Sequence, residues 1–124
     1  MARYLFLLHP DEVNLGELPQ TEKEALFDRF VVWSESLKSR GVLRGVESLM
    51  DAGGKTVRKK RDSVVVDGPY AEMKEVVSGL FIVEAPDPGA AHLLAAECPL
   101  VALGGSVEVR EIANFPVRAD NSGS

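Results

Sequence analysis

The chain has 124 residues, a formal net charge of −5 and an ordinary composition, 45% hydrophobic and 27% charged. That length supports one domain with a core of its own. The acidic balance argues against nucleic acid or an anionic membrane surface as partner, since both select clustered Lys and Arg. With Cys98 as the single cysteine an internal disulfide is impossible, and a reducing, cytoplasmic setting is expected. The apolar run ending at Leu8 is shorter than a signal-peptide core and runs straight into acidic residues. No stretch approaches the length of a membrane span.

Tyr4-Leu5-Phe6-Leu7-Leu8 reads as a strand, closed by His9-Pro10 because proline cannot continue a paired ladder. Asp11 to Gln20 reads as a loop. Thr21-Glu22-Lys23-Glu24 has the spacing of a capping box. Leu26, Phe30, Trp33 and Leu37 then recur at helical spacing, with Phe27 and Val31 widening the stripe, and Gly41 supplies the stop. Val42 to Met50 is expected to be a strand interrupted by Gly45. Lys55 to Arg58 and Ser63 to Val66 read as a hairpin whose tip exposes the basic run Arg58 to Arg61. Gly79 to Ala85 is a strand, apolar through its middle. Asp87 caps a helix with Pro88 at its first position, and Ala91, Leu94, Ala95 and Cys98 form its stripe up to Pro99. Leu100 to Gly105 reads as a connector. Ser106 to Arg110 alternates as a half-buried strand, and the chain from Pro116 reads as a polar tail beyond a single domain at 1–115.

The order β-α-β, hairpin, β-α-β matches an α+β, ferredoxin-like split βαβ pattern: an antiparallel sheet with two helices on one face. Two helices cover one face only, yet the strands at Tyr4 to Leu8 and Leu80 to Val83 are apolar on both. A homodimer through the open sheet face is therefore expected.

Between the run Val64-Val65-Val66 and Gly79 lies Asp67-Gly68-Pro69-Tyr70-Ala71-Glu72-Met73-Lys74. Pro69 fixes its own φ and restricts Gly68, so the corner has few conformations. Asp67 either bonds the amides of that corner or belongs to a site. In the second case Glu72 and Lys74 lie on one side of an extended segment and, with Tyr70, face a ligand. His9 sits at a strand end, and imidazole is the side chain most often used for proton transfer. Asp67 and His9 are the candidate catalytic residues; Tyr70, Glu72 and Lys74 are the candidate substrate contacts. His92 lies off the apolar stripe and is expected in solvent; Cys98 falls on it and is expected in the core. Two histidines and one cysteine do not suit a zinc site, and no phosphate loop, dinucleotide fingerprint or nucleophile elbow is present. No cofactor is expected.

At Asp67-Gly68-Pro69-Tyr70 the chain resembles the YCII-related family, in particular the branch named for its Asp-Gly-Pro-Phe motif, with Tyr70 keeping the ring. The likeness includes the Tyr4 to Leu8 strand, Ala71 to Glu75, Gly79 to Ala85, Cys98-Pro99 and Gly104 to Arg110. The resemblance implies a dimeric α+β barrel of ferredoxin-like units. It implies little about a reaction: members of the branch look like small stand-alone proteins, some encoded near transcription sigma factors, mostly with no assigned reaction. The broader family is credited with a His-Asp pair, its His early in the first helix and its Asp just before the Pro ending the second. Thr21 to Arg40 contain no His, and Cys98 stands where that acid belongs, so the pair does not carry over. His9 with Asp67 is the substitute that strand-end positions suggest. Three readings stay open: an acid-base enzyme acting on a small molecule beside Asp67, a non-catalytic ligand-binding or regulatory module, and a structural corner.

Overall fold

In a computed structural model of the chain, residues 1–50, 54–67 and 77–114 are described. Strand β1 (Ala2–His9) leads through a 3-10 turn (Leu15–Glu17) into helix α1 (Gln20–Ser39) and then β2 (Leu43–Ser48). The hairpin β3 (Thr56–Lys60) and β4 (Ser63–Asp67) follows. Strand β5 (Gly79–Ala85), helices α2 (Pro88–Ala96) and α3 (Pro99–Ala102), and strand β6 (Ser106–Glu111) complete the described elements. The main sheet has the order β2-β5-β1-β6, antiparallel throughout, and β3-β4 is a separate two-stranded sheet. This is the expected ferredoxin-like α+β arrangement.

Alternation decides which side chains meet the helices. Tyr4, Phe6 and Leu8 of β1 and Phe81, Val83 and Ala85 of β5 are buried, and they join Trp33 and Leu37 of α1, Ala91 and Ala95 of α2, Cys98 and Leu100 in one core. Leu5, Leu7, Leu80 and Ile82 point to the other face and are half-buried. Leu5 stands opposite Ile82, and Leu7 opposite Leu80.

Trp33 is the hub of the core. Its ring lies 4.4 Å from Phe81, 6.2 Å from Phe30 and 6.5 Å from Phe6, centroid to centroid. Its indole N–H is buried without a hydrogen-bond partner. That costs about 1–3 kcal/mol, against about 5 kcal/mol from removing ~200 Å² of ring from water. Packing wins.

Helix ends explain where sequence and structure diverge. Helix α1 begins one residue before the expected capping box. Pro19, at φ −55° and ψ 150°, is its N-cap and supplies no side-chain bond. Proline's fixed φ suits that position. Thr21 therefore falls inside the first turn, and Gln20 donates to Glu24 instead, at 3.3 Å. At the other end Gly41, at φ 74°, closes the helix. Gly41 N donates to Lys38 O and Val42 N to Leu37 O, the paired bonds of a Schellman stop.

Asp87 caps α2 as expected, accepting from Ala90 N at 2.8 Å. The stretch read as a connector is helical in its first half: Pro99 opens the short helix α3, which runs to Ala102, and proline's fixed φ suits a first helical position. Strand β2 is shorter than Val42 to Met50, and its register shifts between Leu43 and Gly45. Strands β3 and β4 run further than expected, to Lys60 and Asp67, with Arg61 turning at φ 57°. His92 is exposed and Cys98 buried, both as expected.

Candidate functional site

Asp67 ends β4, opposite Thr56, and its carboxylate lies 3.3 Å from Arg58 Nε. Both side chains are about half exposed. His9 ends β1, its side chain only 12% exposed, with Nε2 3.2 Å from Glu108 Oε1. The main sheet carries His9 and the hairpin carries Asp67. Gly68, Pro69, Tyr70, Glu72 and Lys74 lie outside the described residues.

Sequence reasoning missed Glu108 as a partner of His9. The alternation of Ser106 to Arg110 was readable, and it puts Ser106, Glu108 and Arg110 on one face. What it could not supply was the β1–β6 register, which sets His9 opposite Ser106 and so brings Glu108 diagonally alongside. Arg110 stands 3.6 Å from the same carboxylate. The cluster lies on the sheet face turned away from the helices.

On the helix side, a cleft of about 510 Å³ opens between α1 and the β2–β5 edge. Helix α1 explains it. Trp33 and Leu37 seat the C-terminal half of the helix in the core, whereas Leu26 and Phe30 are half-buried and Phe27 is 66% exposed. Phe27 and Val31 therefore widen the apolar stripe toward the cleft and not into the core. Phe81, Leu8 and Leu100 form the floor, and Val46 to Leu49 the far wall.

Backbone bonds fix the rim. Ser78 N donates to Leu8 O at 2.8 Å, and Leu49 N to Ser78 O at 2.9 Å. A Cβ on Gly79 would sit 2.9 Å from Glu47 O, so glycine permits this close approach of β2 to β5. Asp67 and Ser78 bracket the Gly-Pro motif in sequence, and Ser78 lines the cleft. Leu8 lines the cleft and the next residue, His9, faces the other way. The cleft and the His9–Glu108 pair are thus on opposite faces of the sheet.

Burial pushes the Cys98 thiol up, from an ordinary 9.0 to about 11. At neutral pH it is a protonated core group and no nucleophile. Among the described residues no cluster of His, Cys, Asp and Glu is placed to hold a metal ion, and no helix is long and apolar enough to cross a membrane. A search of curated proteins gave no match. The model of the YCII-related domain matches residues 2–116. The match spans nearly the whole chain, and the antiparallel sheet with its helices on one face agrees with it: this protein belongs to the YCII-related domain family.

Proposed function

We propose that this chain is a homodimeric protein that takes a small apolar molecule into the cleft beside α1. The cleft itself carries the reading. Its volume of about 510 Å³ falls in the range of small-molecule sites, roughly 300–1,000 Å³, and such sites are apolar with a few polar groups. Here Phe30, Phe81 and Leu26 supply the apolar surface, and Ser34, Ser48 and Ser78 the hydroxyls. Dimerisation is supported by the open sheet face. Its centre is Leu5, Leu7, Leu80 and Ile82, flanked by the Arg44–Glu84 and His9–Glu108 pairs. An apolar centre with a charged rim is the usual anatomy of an interface, and the same face of a second copy is the simplest partner, related by a two-fold.

The dye anilinonaphthalene sulfonate tests the cleft. It is expected to bind one saturable site per protomer. Ser34→Phe, which fills the cleft from a half-buried helix position, is expected to weaken that binding at least about tenfold with the far-ultraviolet dichroism unchanged. Binding that Ser34→Phe leaves intact would contradict the reading.

The contact of His9 with Glu108 favours a second reading, acid-base catalysis. A carboxylate bonded to one ring nitrogen orients a histidine for proton transfer at the other. In this reading His9 and Asp67 handle the proton, and Tyr70, Glu72 and Lys74 hold the substrate. Because His9 faces away from the cleft, that chemistry belongs to the sheet face, separate from the cleft ligand. Conversion of a bound compound, lost in His9→Gln with binding retained, distinguishes enzyme from binder.

A further inference from the structure

Along α1, Lys23, Phe27, Phe30 and Ser34 follow one another at four, three and four residues and so lie on one line of the helix surface. All four line the cleft, over a length of roughly 16 Å. One end of that line is a cation, the middle is aromatic, and the far end is a hydroxyl. Lys23 makes no ion pair among the described residues. It stands in the first turn of a helix whose N-cap, Pro19, offers no side-chain acceptor, so the positive end of the helix adds to its charge.

Two carboxylates also border the cleft, and neither cancels Lys23. Glu35 lies twelve residues along the helix, about 18 Å away, beyond the roughly 8–10 Å over which exposed charges interact at ordinary salt. Glu47 stands opposite Leu80, on the sheet face turned away from α1.

We infer that the cleft takes a hydrophobic carboxylic acid, with its carboxylate on Lys23 and its apolar body along Phe27, Phe30 and Phe81. This rests on the cleft being the ligand site, as proposed above. Trp33 is the only tryptophan, and it packs against Phe30 and Phe81, so its emission reports on occupancy.

A matched series of phenylbutyrate, phenylbutanol and phenylbutylamine, titrated against Trp33 emission, tests the assignment. The acid is expected to bind about tenfold tighter than the alcohol, and the amine weakest. Lys23→Gln, a change at an exposed position, is expected to lower the acid to the level of the alcohol and leave the alcohol unmoved, whereas Lys23→Arg retains the preference. An alcohol that binds as tightly as the acid overturns the carboxylate assignment. So does an acid advantage that survives Lys23→Gln. Either result leaves the cleft standing as a ligand site. Failure of all three compounds to bind overturns the assignment, and if the dye also ignores Ser34→Phe, the cleft reading falls with it.

Discussion

Phe6→Ala is expected to lower the free energy of unfolding by about 3–5 kcal/mol, a large share of the 5–15 kcal/mol typical of a domain. Phe6 is fully buried. It stands opposite Phe81 on β5 and Val109 on β6, and its ring is parallel to that of Trp33, 7° between planes. Alanine removes the ring from the middle of the aromatic cluster, and strands bonded on both sides cannot close the space. The urea midpoint is expected to fall with little change in slope. By comparison Arg40→Ala, which breaks the surface pair with Glu97, is expected to cost under about 1 kcal/mol, because both side chains are about 40% exposed. A Phe6→Ala protein as stable as the parent would mean that the hub of the core is elsewhere.

The second large effect concerns assembly. Ile82→Glu is expected to turn the proposed dimer into a monomer with the fold intact. Ile82 lies at the centre of the open face, opposite Leu5 on β1 and Gly45 on β2. In a single copy it is half-buried, so a glutamate there still reaches water. Between two stacked sheets it does not. Burying it costs about 2 kcal/mol or more, and a two-fold counts that cost twice. About 4 kcal/mol is roughly a thousandfold in dissociation constant. Sedimentation at micromolar concentration, with dichroism as the folding control and Leu80→Glu as a second variant, measures it. A parent protein that sediments as a monomer would contradict the dimer outright.

The fold was legible wherever a local pattern coincides with a tertiary demand. The run Tyr4 to Leu8 reads as a strand, and the structure pairs it with β5 and β6 and puts Tyr4, Phe6 and Leu8 in the core; the Gly41 stop and the Asp87 cap are local chemistry that the structure repeats. Legibility failed where two local signals compete. At the start of α1, Thr21-Glu24 and Pro19 both fit a helix end, and proline's fixed φ decided the register. At Pro99 one residue signals both an end and a beginning, and sequence alone showed only the end.

The site was less legible, for reasons of register and seating. The His9–Glu108 contact depends on which residue of β6 falls opposite which residue of β1, and no short-range pattern states that. The cleft depends on α1 being anchored by Trp33 and Leu37 at one end only; periodicity marks Phe27 and Val31 as apolar but not which neighbour they face. Asp67 was singled out on its own sequence, and its described partner is Arg58, across the hairpin.

Backbone amide chemical-shift mapping with phenylbutyrate tests most directly whether the cleft beside α1 is the ligand site. The amides of Leu26, Phe27, Phe30, Ser34, Leu49 and Gly79 are expected to shift with one common affinity, and those of Leu5, Leu7, Ile82 and Glu108 to stay in place. Shifts confined to the sheet-face set, with the α1 amides unmoved, would contradict the account and assign the site to the side of the sheet that carries His9.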